Sequence, residues 1–256
     1  MKLHHKIYGN AEEAVVIVHG LFGMLDNWHN IAKQLSDTYK VVTVDVRNHG
    51  NSPHSPDMDY DYMANDLNEL LDDLGISSAH FVGHSMGGKI VMKVADLFPH
   101  RVDKLCIVDI APKRYNPGHL ELFDAMFSLD LETISSRSEI DEALIKKIPN
   151  TAIRLFLTKN IQRDKSGGFQ WKMNLSVIFD AYQEIIGAIE LAWPFSGETL
   201  VMRGERSDYI TDEDMSDIEE MFPNSRLVTI TGAGHWLHAD NPDGFLSELK
   251  AFLTDN

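Results

Sequence analysis

The stretch "HFVGHSMGGKI", residues 80–90, runs an apolar segment into a serine that has a glycine two residues away on each side. Glycine costs backbone entropy in regular structure, so Gly83, Gly87 and Gly88 together need a geometric reason. A G-x-S-x-G sequence between a strand and a helix supplies one. The turn is tight enough to push Ser85 into a strained backbone conformation, and side chains at 83 and 87 would collide with neighbouring backbone. Gly83 and Gly87 remove that collision, and Gly88 lets the following helix, from Met86, pack closely on the sheet. Ser85 is thereby presented at a helix N-terminus, where backbone N–H groups and the helix dipole favour developing negative charge.

Around this turn, short β-branched runs recur: "AVVIVH" (14–19), "KVVTVDV" (40–46), "AHFVGH" (79–84), "KLCIVDI" (104–110), "ETLVMRG" (198–204) and "SRLVTIT" (225–231). Several are apolar almost throughout, as strands buried on both faces of a parallel sheet are. Helical periodicity falls between them. Met63, Leu67, Leu70, Leu71 and Leu74 make one stripe with Gly75 as its stop, and Phe245, Leu249 and Phe252 make another. Strands alternating with helices predict an open, doubly wound α/β domain. Between about 113 and 196 the strand signals vanish. Four amphipathic segments follow one another there, "HLELFDAMFSLD", "EIDEALIKKI", "TAIRLFLTKNI" and "LSVIFDAYQEIIGAIELA", with "RDKSGGFQW" as a turn among them. The reading is an α/β core of residues 1–112 and 197–256, with residues 113–196 as a helical cap inserted between two strands. Ligands in open α/β sheets bind beyond the carboxyl ends of the strands, so such an insertion is expected to form a lid.

Composition narrows the function. The 256 residues carry a net charge of −16, which argues against nucleic acid or anionic membrane surfaces as partners. No run approaches membrane-spanning length and no signal peptide is legible, so a cytoplasmic protein is expected. The single Cys106 lies in an apolar run, which reads as a buried, inert thiol in a reducing compartment. No cationic cluster stands near the motifs.

An activated serine needs a base, an acid to orient it and donors for an oxyanion. "VIVHGLFG" (16–23) runs a strand into His-Gly, where a loop N–H can complete an oxyanion hole with that of Met86. Leu21 is the expected donor and Phe22 the alternative one residue on; His19 reads as structural. "TGAGHWLHADNP" (231–242) offers His235 as base, nearer the strand end than His238. For the acid the residues leave two candidates. Asp109 closes "KLCIVDI", beside the nucleophile strand, where an ionisable residue after an apolar run is poorly explained by packing. Asp208 ends "ETLVMRGERSD", just before a helix-capping sequence at Thr211–Asp214.

On "VHGLFGMLDNW", "VDVRNHGNSP", "FVGHSMGGKIVM", "VDIAP" and "GAGHWLHADNP" the chain resembles the α/β-hydrolase superfamily over essentially its whole length. More closely, it is similar to the small bacterial esterases of the YbfF type. The resemblance implies an α/β-hydrolase fold with a helical cap and hydrolysis of small carboxylic esters, with acyl thioesters as a second candidate class. It implies no metal and no organic cofactor. In most of the superfamily the acid stands three residues after the glycine that closes the strand, which here is Ser207; in the YbfF type it follows the earlier strand, which carries the role onto Asp109. Candidate pocket residues are Phe22, Phe123, Phe127, Trp171 and Trp236, with Met126, Phe156, Phe179 and Tyr182 beside them in the inserted segment. For those in the segment, packing the lid is the expected role ahead of touching substrate, since an amphipathic helix needs such residues simply to dock. The same triad serves C–C bond hydrolases, peptidases and cofactor-free haloperoxidases, and a ligand-binding receptor could retain it idly.

Overall fold

The computed structural model describes every residue but Ser166, inside the turn read at "RDKSGGFQW", and Asn256; these two lie outside the described residues. The chain opens with strands β1 (His5–Tyr8) and β2 (Ala14–Val18), helix α1 (His29–Leu35) and strand β3 (Lys40–Val44). Helix α2 (Tyr60–Asp73), strand β4 (Ala79–His84), helix α3 (Met86–Leu97) and strand β5 (Val102–Val108) follow. After the inserted segment come strand β8 (Thr199–Gly204), helix α9 (Met215–Met221), strand β9 (Ser225–Ile230) and helices α10 (Leu237–Asp240) and α11 (Pro242–Thr254). The main sheet has the order β1-β3-β2-β4-β5-β8-β9. All its pairs are parallel except β1–β3.

Alternate residues of each central strand feed opposite faces, the period of two that a pleated strand imposes. Val16, Phe81, Leu105 and Val201 pack in a core with α2 and α3. Val15, Ile17, Val82, Cys106 and Leu200 pack on the other side with α1 and α11. Both faces are covered, which is why these strands read as continuous apolar runs. Strand β1, "HKIY", carries no such run: it lies at the sheet edge with its residues half-buried or exposed, so the sequence reading passed over it.

The inserted segment holds helices α4 (Leu120–Phe127), α5 (Arg137–Ile145) and α6 (Thr151–Thr158), strands β6 (Ile161–Arg163) and β7 (Phe169–Trp171), and helices α7 (Leu175–Asp180) and α8 (Tyr182–Ile185). Its reading as helices alone is corrected by the antiparallel β6–β7 pair, whose three-residue strands are too short to show an alternation. The long last helix is also corrected, since it breaks at Ala181 into α7 and α8. The segment touches the loops that leave the carboxyl ends of β2, β3 and β9. Asn160 Nδ2 donates to the Phe22 carbonyl at 2.7 Å, Asn174 N–H to the Asn48 carbonyl at 2.8 Å, and the Phe156 and Trp236 rings lie 5.4 Å apart.

Candidate active site

Ser85 sits between β4 and α3 with φ 54° and ψ −120°, in the left-handed region that a side chain rarely adopts. The neighbouring glycines show why the chain tolerates this. A Cβ on Gly83 would stand 2.2 Å from the Gly87 carbonyl oxygen, and one on Gly87 would stand 2.3 Å from that of Val18. The Ser85 N–H donates to the Val108 carbonyl at 2.9 Å, which ties the turn to the end of β5.

The next residue, just past the end of that strand, is Asp109, fully buried and itself at φ 52°. Its Oδ2 lies 2.7 Å from His235 Nδ1; the carboxylate accepts and the ring N–H donates. Its Oδ1 accepts from the Gly204 N–H at 3.0 Å, and the Ser207 hydroxyl donates to Oδ2. Ser207, three residues after the strand-closing Gly204, thus donates to a carboxylate supplied from one strand earlier. Asp208 is exposed at the cavity rim, and among the described residues it makes no hydrogen bond to His235. The Tyr209 ring stacks on His235, centroids 3.8 Å apart, and His84 Nε2 donates to the His235 carbonyl at 2.7 Å. Neither Tyr209 nor His84 was singled out from the sequence, because each acts through a residue distant in the chain.

The other histidines of the region are held neutral by burial. His238 stacks on Trp28 at 4.1 Å, and desolvation, reinforced by His235, pushes its pKa down to about 3. Burial lowers His19, which donates from Nδ1 to the Gly20 carbonyl and accepts the Val46 N–H at Nε2. His49 accepts the Phe22 N–H at 3.3 Å. Phe22, the alternative oxyanion donor, is therefore already engaged. Among the described residues the N–H groups of Leu21 and Met86 meet no protein acceptor.

Ser85, Leu21 and Met86 line one cavity of about 480 Å³. None of the sequence-derived pocket candidates Phe22, Phe123, Phe127, Trp171 and Trp236 lines this cavity. Phe22 and Phe123 are buried edge to face at 5.0 Å, and Phe127 extends that cluster outward to an exposed position. These aromatics dock the inserted helices, as an amphipathic face must. The walls are built instead from Tyr60, Lys89, Ile110, Tyr115, His119 and Ile186. Lys113 and Arg114, which directly follow "VDIAP", also reach the cavity, which corrects the expectation that no cations stand near the motifs; Lys113 is paired with Asp214 at 2.7 Å. No group of three or more His, Cys, Asp or Glu side chains among the described residues is arranged to hold a metal ion.

Lys89 is buried in α3, where Nζ donates to the carbonyls of Lys113 and Gly187, near the two ends of the inserted segment. Burial, and then the Arg114 charge, push its pKa down to about 7. An unfolded lysine titrates near 10.4, so between about pH 7 and 10 the unfolded chain binds the extra proton and stability rises with pH. The charging penalty builds as pH falls through that window and is complete below about 7. Denaturant unfolding at pH 7 and pH 9 should therefore show a gain for the wild type that Lys89→Met lacks. Equal gains in the two proteins would contradict the assignment.

The family model for the α/β hydrolase fold matches residues 13–242. The chain belongs to the α/β-hydrolase family. This hydrolase is 37% identical over 243 residues to the esterase YbfF of Escherichia coli strain K12, covering 94% of the present chain and 93% of that relative. It is 38% identical over 248 residues to the mouse (Mus musculus) sn-1-specific diacylglycerol lipase ABHD11, covering 94% of the chain and 80% of the relative. A solved marine microorganism esterase superposes with a TM-score of 0.96 at 41% identity, covering 98% of this chain and 99% of that one. These likenesses place the hydrolase among carboxylesterase-type enzymes. Among its described residues no helix is long and apolar enough to cross a membrane.

Proposed function

We propose that this hydrolase cleaves small carboxylic esters, and acyl thioesters of similar size, through an acyl-enzyme on Ser85. The observation that carries the reading is the 2.7 Å pair between His235 and buried Asp109, beside the cavity onto which the strained Ser85 opens. Ser85 Oγ attacks the acyl carbon while its proton passes to His235 Nε2. The N–H groups of Leu21 and Met86 hold the tetrahedral oxyanion. As that intermediate collapses, His235 returns the proton to the departing alcohol or thiol. Water, deprotonated by the same nitrogen, then attacks the acyl-enzyme and releases the acid. Asp109 fixes the imidazole with Nδ1 protonated, leaving Nε2 free to accept. The inserted segment acts as the cap that limits the room for the acyl chain.

A fluorophosphonate probe tests the reading directly, since covalent labelling requires an activated serine. Labelling is expected on Ser85 by peptide mapping, together with turnover of a p-nitrophenyl ester series and of acyl thioesters assayed beside it. An unlabelled Ser85 would overturn it.

The two loop histidines should separate sharply. His235→Ala is expected to lower kcat/KM by on the order of 10⁴-fold or more, as loss of a triad base does. His238→Ala removes a ring stacked on Trp28 and should lower the melting temperature while leaving turnover within a few-fold. The reverse ranking in steady-state kinetics would assign the base to His238.

A further inference from the structure

His119 precedes α4 and lines the cavity onto which Ser85 opens. Its hydrogen bonding fixes which ring nitrogen carries the proton. The Tyr182 hydroxyl accepts the backbone N–H of His119 at 3.0 Å and stands 3.0 Å from His119 Nδ1. Among the described residues Nδ1 is the one acceptor within reach of the hydroxyl proton, so Tyr182 donates to it. A neutral imidazole whose Nδ1 accepts must carry its hydrogen on Nε2. Burial, and then the nearby His235, hold the ring neutral by pushing its pKa down to about 4. Nε2 has no protein partner and is not sealed from solvent, while the ring edge packs on Phe22 at 6.1 Å.

We infer that the Nε2–H of His119 is a specificity-determining donor that selects esters carrying a second oxygen acceptor, an ether, hydroxyl or carbonyl, a few atoms from the scissile bond. A residue needed only to pack against Phe22 would have no use for a second polar edge left without a protein partner at a cavity-lining position. Tyr182 acts as a positioning residue, because its hydroxyl holds the tautomer that makes Nε2 a donor. The inference rests on the proposed ester hydrolysis at Ser85, and it extends that reading to the substrate.

Isosteric ester pairs test it. On the alcohol side, 2-methoxyethyl acetate is compared with butyl acetate; on the acyl side, p-nitrophenyl 3-methoxypropanoate is compared with the pentanoate. Each preference is a ratio of kcat/KM within one preparation, so it does not depend on how much of a variant is folded. The wild type should favour the oxygen-bearing ester of one pair by about 3–10-fold, the worth of one uncharged hydrogen bond. The pair that shows the preference tells which side of the ester meets His119. His119→Ala should bring that ratio to about one, mainly through KM, and His119→Gln, which keeps an N–H donor, should restore most of it. Tyr182→Phe should weaken it. If the wild type hydrolyses these esters without preference in either pair, or His119→Ala keeps the preference, the inference is overturned and ester hydrolysis stands. If the wild type hydrolyses none of them, both fall.

Discussion

Ser85→Ala is expected to abolish ester hydrolysis while leaving the fold intact. Losing the nucleophile of a serine triad costs about 10⁶ in kcat. The fold should survive because, among the described residues, the Ser85 hydroxyl makes no hydrogen bond that alanine would forfeit. The strained backbone at φ 54° is held by Gly83, Gly87 and the Ser85 N–H bond to Val108, none of which the substitution touches. Circular dichroism and a thermal melt should match the wild type, and p-nitrophenyl ester turnover should fall to background. A folded variant that retained wild-type-like turnover would mean that the acyl group is not carried on Ser85.

Asp109→Asn is expected to cost on the order of 10⁴ in kcat, with little loss of folded protein. Asparagine matches aspartate in shape and tolerates the positive φ that Asp109 adopts. What changes is the chemistry toward His235. The carboxylate can only accept, which obliges His235 Nδ1 to carry the hydrogen at the 2.7 Å contact. An amide turned to keep the Gly204 donor on its oxygen sets its NH2 at the place that Ser207 and His235 share. There the Ser207 hydroxyl must rotate to accept, and the N–H offered to the ring favours the tautomer with Nε2 protonated and unable to accept from Ser85. Asp208→Asn, at an exposed residue on the cavity rim, should stay within a few-fold of wild type. Steady-state kinetics on the two variants decide between the acids. A large loss for Asp208→Asn with a mild one for Asp109→Asn would reverse the assignment.

Much of this molecule was determined locally. A doubly buried strand must be apolar at successive positions, so β2, β4 and β5 were legible as runs. The glycine spacing around Ser85 was legible because only hydrogen fits where Gly83 and Gly87 face backbone oxygen. Helix α2 could be read from its stripe and from Gly75, which stops it at φ +65°. Edge strand β1 and the β6–β7 pair could not, because short strands stabilised by pairing rather than by burial leave no periodic trace.

The cavity was decided by the tertiary structure alone. A docked helix and a substrate pocket make the same demand for large apolar side chains, so sequence alone offered the aromatics of the inserted segment for both roles and favoured docking. Folding spent Phe22 and Phe123 on docking the inserted helices and left Lys89, Tyr115 and His119 lining the space beside Ser85. Residues alone also left the acid open between Asp109 and Asp208, which lie 95 and 4 residues from Gly204. Adjacency of β4, β5 and β8 in the sheet sets Asp109 beside both Ser85 and Gly204, with Ser207 as its donor. Strand order is a property of the whole chain, set by how every strand pairs and which faces are covered, and no window of sequence contains it.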